Sequence, residues 1–243
     1  MNYISLGYFC SVAMELERFG LRTMSSPFDW LIVDFKGAID AIENQFEGFL
    51  TLEYLAQSRE NRSWYKNLKY QVEFRHEFDQ YHSLKSQLAP VQEKYERRIR
   101  RFYETIQQPT IFVRYISDEK KIDGKAEELI WIEENFDRID TDQRSNQDNR
   151  IVFIANTGVQ SDKIKIYQVE PDPDDAVARA PSDKNSALKD FFESAEVENK
   201  EQNLHRYMEQ QRLKSRTDVI FKRKTKTLLK KIFLKEYIHE KTF

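Results

Sequence analysis

Over its first 170 residues the chain alternates short apolar runs with longer amphipathic ones, and few folds accept that order. The runs at 3–6, 70–74, 110–116, 151–155 and 164–169 are rich in branched and aromatic residues and short enough to be single strands. Between them apolar residues recur at spacings of three and four. Helices are expected over 11–19 (Val12, Leu16, Phe19 on one face), 35–49 (Ile39, Ile42, Phe46, Phe49), 94–106 (Ile99, Phe102, Ile106) and 125–139 (Leu129, Ile132, Phe136, Ile139). Strand and helix in alternation predict an α/β fold, a single layered domain with a largely parallel sheet flanked by helices.

Beyond residue 170 the pattern changes. Residues 171–200 hold three prolines, many Asp, Glu and Ser and few large apolar residues, so 171–211 is expected to be an acidic linker or mobile segment behind a 1–170 domain, although Phe191 and Phe192 could dock locally. Residues 212–243 form a basic tail. Within it, 219–238 place Leu228, Leu229, Ile232 and Phe233 among seven Lys and Arg side chains. A basic amphipathic helix there suits an anionic membrane surface, each near-surface cation adding about 1 kcal/mol, and equally suits packing on its own domain. The net charge of −2 gives no reason to expect nucleic acid as a partner. One cysteine excludes an internal disulfide and suits a reducing cytoplasm, and no apolar run approaches the roughly 20 residues that span a bilayer. A soluble, cytoplasmic protein, peripheral at most on the inner membrane face, is the expectation.

Cys10 is the most reactive side chain in prospect. Strand 3–6 ends at Gly7, which permits a sharp turn, and Cys10 then stands near the start of a helix, where unpaired N–H groups and the helix dipole favour a thiolate. A small buried hydrophobe is the plainer role for a lone cysteine. One cysteine and four scattered histidines lack metal-ligand spacing, and six unclustered glycines form no phosphate-binding loop, so no metal and no nucleotide cofactor are expected.

Ser5-Leu6-Gly7 with Cys10, Gly20-Leu21-Arg22 and Ser26-Pro27-Phe28-Asp29-Trp30 form a compact signature. With Phe74-Arg75-His76-Glu77-Phe78, Tyr95-Glu96-Arg97-Arg98, Arg101-Phe102 and Phe112-Val113-Arg114, it resembles a bacterial family labelled “putative papain-like cysteine peptidase”, over residues 3–170. Glu77 stands where that family carries Asp. The resemblance implies a Cys and His pair in a thiol hydrolase, and family members accompany surface-polysaccharide genes. Strands and helices interleave here from the start, which favours a doubly wound sheet over a papain topology with its helix-rich half first.

In such a sheet ligands bind beyond the carboxyl ends of the strands. Cys10, His76 and Asn156 each follow an expected strand, and Arg114 lies within one. A thiol hydrolase would use Cys10 as nucleophile and His76 as base, with His82 as a rival, and Asp79, Asp29 or Asn156 would orient the imidazole. Arg98 and Arg101, three apart on a helix, could clamp an anion or form a solvated face. Arg114 in an apolar strand must pair with an acid such as Asp29 or meet an anionic ligand. Three functions stay open: a thiol hydrolase or acyltransferase on a peptide or glycan-linked substrate, a surface-polysaccharide assembly protein binding an anion through arginines, and a non-catalytic membrane- or partner-binding module.

Overall fold

A computed structural model describes residues 1–140 and 148–215 of the 243-residue chain, with side chains omitted for 137–140. In chain order come β1 (Asn2–Ser5), α1 (Cys10–Arg18), β2 (Leu31–Ile32), α2 (Phe35–Glu43), β3 (Leu55–Gln57), β4 (Tyr65–Asn67) and β5 (Val72–Phe74). The long helix α3 (Leu84–Thr105) leads to β6 (Thr110–Ile116), a small hairpin of β7 (Lys121–Ile122) and β8 (Lys125–Ala126), then α4 (Glu127–Asp140), β9 (Arg150–Asn156), β10 (Ile166–Val169) and α5 (Ser186–Glu193). A further helical run occupies 200–215.

Four strands form a parallel sheet in the order β1-β6-β9-β10, with Ser5 opposite Val113 and Arg114 opposite Phe153. β6 is buried on both faces, which is why it reads as an almost continuous apolar run. One face carries Ile4, Leu6 and Phe153 against α2, α3 and α4. The other carries Tyr3, Val113, Tyr115 and Ile154 against α1 and α5. Helices therefore cover both faces, as the alternation predicts. The strand order is nevertheless monotonic, without the reversal of a doubly wound sheet.

The structure corrects three expectations. Residues 70–74 do not add a strand to the parallel sheet. β5 instead pairs antiparallel with β2 and β4 in a second sheet of order β2-β5-β4-β3, whose strands of two or three residues are too short to show a period of two. The helix expected over 35–49 ends at Glu43, because Gln45 and Phe46 take positive φ. Phe46 and Phe49 then turn inward against Phe28, Phe74 and Phe102. The helix expected over 94–106 starts ten residues earlier at Leu84, capped by Ser83, and keeps Pro90 inside it.

The segment 171–211 is not a linker throughout. Val177, Ala178, Leu188, Phe192 and Ala195 are buried in the core that also holds Val12, Leu16 and Tyr115. Phe192 stacks beside Phe19 at 5.5 Å. Full burial of such a side chain contributes roughly 1.5–3 kcal/mol, which a solvated linker forgoes. Acidic residues at the turns between these anchors, such as Asp174 and Asp175, and on the exposed side of α5, such as Asp190, conceal the apolar pattern from a composition count. The tail expected over 219–238 lies outside the described residues. Among the described residues no helix is long and apolar enough to cross a membrane.

Candidate functional site

The turn after β1 rests on one buried ion pair. Arg114 is fully buried, and its Nε and Nη2 donate to the two carboxylate oxygens of Glu128 at 2.8 Å each. Its Nη1 donates to the Leu6 carbonyl at 2.7 Å, and Nη2 also reaches the Val33 carbonyl at 2.8 Å. Glu128 in turn accepts the backbone N–H of Phe35 at the start of α2. A charge buried this deeply is tolerated only with its hydrogen-bonding capacity filled, and here the backbone supplies what the ion pair leaves over. Gly7 lies directly on this hub. Its φ is +80°, and a Cβ there would stand 3.2 Å from both Arg114 Nη1 and Val33 Cγ1. The turn therefore needs glycine both for its conformation and for the space.

Three residues later the chain enters α1 at Cys10. Phe9 offers the helix no side-chain cap, and no acid occupies its first turn. The first N–H groups are left without an intrahelical partner, and no acid of α1 itself offsets the positive end of the dipole. Cys10 is half-buried. Burial pushes its thiol above the ordinary value, a hydrogen bond from its own backbone N–H and the Arg179 charge pull it back, and Asp175 opposes them. Desolvation wins, so the sulfur is protonated near neutral pH and needs a proton acceptor to become a nucleophile.

Arg179 and Asp175 belong to a strap, 172–183, that crosses the carboxyl edge of the sheet. Arg179 Nε donates to Asp175 Oδ2 at 2.8 Å, and its backbone N–H to Asp172 Oδ2 at 2.9 Å. Asn156, at the end of β9, holds the strap by donating to the Ala176 carbonyl at 2.9 Å and to Asp118 at 2.8 Å. Tyr115 O–H donates to Asn156 Oδ1 at 2.6 Å and accepts the Ala178 N–H at 3.1 Å. Beside this edge is a cavity of about 120 Å³ lined by Asp34, Lys36, Ser117, Glu119, Lys120 and Trp131, among others. The phenol of Tyr8 hydrogen-bonds to Glu119 and Ser117, linking the cysteine turn to the cavity wall.

The other residues singled out from the sequence fall elsewhere. His76 is exposed, two residues beyond β5 in the second sheet, so the expectation that it shares the parallel sheet's carboxyl edge with Cys10 does not fit this placement. Among the described residues no hydrogen bond joins Cys10 to His76 or His82. Asp79 serves the other imidazole, with Oδ2 2.9 Å from His82 Nδ1; that bond and the N–H groups of Tyr81 and His82 hold its carboxyl below the usual range. Asp29 faces Arg22, not Arg114, at 2.7 Å, and accepts the Ser26 N–H at 3.0 Å. Burial pushes the Asp29 carboxyl up, against the pull of Arg22.

Arg98 lies over the Tyr95 ring at 5.1 Å, with Nη1 3.8 Å from Glu77 Oε1, and its charge also acts on Asp29. Glu77 is bound as well by Lys94 and by the Tyr95 hydroxyl. Arg22, Asp29, Arg98 and Glu77 therefore join four separate sequence motifs in one interior charge cluster. Arg101 points out to solvent and donates to the Arg97 carbonyl, so Arg98 and Arg101 do not converge on one anion. Sequence reasoning missed Arg179, Asp175, Glu128 and Glu15. All four are charged residues whose roles depend on groups elsewhere in the chain: Cys10 for Arg179 and Asp175, Arg114 for Glu128, and Ser182 for Glu15. Among the described residues no group of three or more His, Cys, Asp or Glu could hold a metal.

Residues 1–158 match the family described as “Putative papain-like cysteine peptidase (DUF1796)”. Uncharacterized protein R408 of Acanthamoeba polyphaga mimivirus is 34% identical over 122 residues, a stretch covering 42% of this chain and 54% of the viral protein. The chain thus spans about half the length of that relative. No solved structure matches.

Proposed function

Because the chain belongs to the family described as “Putative papain-like cysteine peptidase”, we propose that it is a thiol-dependent hydrolase with Cys10 as its nucleophile. The position of Cys10 carries this reading: a half-buried thiol opens an uncapped helix at the carboxyl edge of a parallel sheet, within the field of Arg179. Sγ attacks the carbonyl carbon of an ester, thioester or amide, forming a C–S bond as the carbonyl electrons move onto oxygen. The N–H groups of the first turn of α1 stabilise that oxyanion in this reading. Collapse expels the alcohol, thiol or amine with a proton, and water then cleaves the thioester and regenerates the thiol.

The thiol proton must leave first. Arg179 favours the thiolate that remains, and Asp175 beside it fixes the guanidinium. His76 serves as the base only if the segment after β5 moves toward α1 in the working enzyme, so the His76→Ala variant separates a Cys and His pair from a thiol supported by arginine alone. Anion binding through Arg114 is not part of the reading, because that guanidinium is engaged with Glu128 and two carbonyls.

The test is hydrolysis of p-nitrophenyl esters and of a peptide library by the full chain. Cys10→Ser should abolish turnover, a loss of at least about a thousandfold for an acting nucleophile. Iodoacetamide should label Cys10 ever faster as pH rises past the ordinary thiol value. Undiminished turnover by Cys10→Ser would remove the thiol mechanism.

A further inference from the structure

We propose that Glu15 and Arg18 are positioning residues for Cys10, gripping the strap so that Arg179 stays against the start of α1; this rests on the reading of Cys10 as the nucleophile. Glu15 lies on the buried face of α1 and is 2% exposed. Its Oε1 accepts the Ser182 N–H at 2.9 Å and also the Ser182 hydroxyl. Arg18, one turn on, forks onto Asp183 at 2.8 and 2.6 Å and donates to Ser182 Oγ at 2.7 Å, with its Nε 3.4 Å from Glu15. Two side chains of the helix that begins at Cys10 thus seize two consecutive residues of the strap.

The other anchor of the strap is on the sheet, where Asn156 holds the Ala176 carbonyl and Tyr115 the Ala178 N–H. Arg179 lies between the anchors. Its side chain is 72% exposed and turns toward Asp175, so no packing of its own keeps it near the sulfur. Its effect on Cys10 depends on where the backbone at 179 is held. Attraction between charges falls with distance and with the water that enters between them.

Apolar attachment alone does not explain the grip. Val177, Ala178, Leu188 and Phe192 already bury the strap and the helix after it. A carboxylate inside that interface costs desolvation that an apolar residue would avoid. What the ionic contacts add is register, fixing which strap residue stands beside which turn of α1.

A double-mutant cycle tests this, with iodoacetamide alkylation of Cys10 in the full-length protein as the readout. Cys10 is the only cysteine, so the rate needs no deconvolution. In the native background Arg179→Ala should slow alkylation at pH 8 about threefold and shift the rate profile to higher pH, since a thiol deprived of a nearby cation ionises later. In the Asp183→Asn or Glu15→Ala background the same change should alter the rate less than about 1.5-fold, because the guanidinium has already drifted. Asp183 is a surface side chain, so Asp183→Asn carries the cycle even where Glu15→Ala does not fold. Equal effects of Arg179→Ala in both backgrounds, or none in either, would overturn the proposal. Hydrolysis is not read in this cycle. A chain without turnover that still shows the coupling would refute the function and keep the grip.

Discussion

Arg114 and Arg179 both stand toward the carboxyl edge of the parallel sheet, the first fully buried and the second 72% exposed. Arg114 gives its hydrogen bonds to Glu128, Leu6 and Val33 and so lies beneath the turn that leads to Cys10. The guanidinium of Arg179 donates to Asp175, and its field extends to the sulfur. From the sequence the first looks functional, being an arginine in an apolar strand, and the second is lost in an acidic stretch. The pair teaches that a conspicuous buried charge in this chain is architecture, while the charge that acts on the Cys10 thiol lies at a surface that composition makes look idle.

That contrast breaks most visibly at Arg114. Arg114→Met leaves Glu128 buried without its cation and should cost about 3–5 kcal/mol in a urea titration. A loss under about 1 kcal/mol would show that the hub is not structural. A smaller effect belongs to the strap, at Glu15. Burial raises the Glu15 carboxyl above its ordinary value in the folded chain, against the hydrogen bonds from Ser182 and the Arg18 charge. The folded state therefore holds this proton more tightly than the unfolded one, so stability from this group is highest below the ordinary carboxylate pKa of about 4.3 and declines as pH rises through the folded value. Glu15→Gln, which cannot ionise, should flatten that decline in Tm measured across pH 4 to 7; an unchanged slope would mean that Glu15 is as well solvated as a surface acid. The smallest expected change is in the stability of Arg179→Ala, whose urea midpoint should coincide with that of the native chain, as for other exposed positions. A lower midpoint would place Arg179 in the architecture beside Arg114.

The layers of the fold were legible, and the contacts between them were not. β6 coincides with the run at 110–116 because both its faces are buried and every position is constrained. The second sheet leaves no mark in the sequence because its strands are two or three residues long, below any periodicity. The start of α3 carries little apolar signal because its first ten residues bury only Leu88 and Val91, around Pro90. At the site, Gly7 and the start of α1 at Cys10 could be foreseen from local pattern. The partners of Arg114, Asp29 and Cys10 could not, because pairing is decided by which strands become neighbours, and assigning 70–74 to the wrong sheet carried His76 with it.

The Arg114 hub touches the end of β1 in one sheet, the residue after β2 in the other, and, through Glu128, the beginnings of α2 and α4. Neither sheet can come loose without stripping the closing bonds of its neighbour. Heat or denaturant should accordingly find no half-melted form in which the parallel layer outlives the antiparallel one: the two are lost together, in a single cooperative transition.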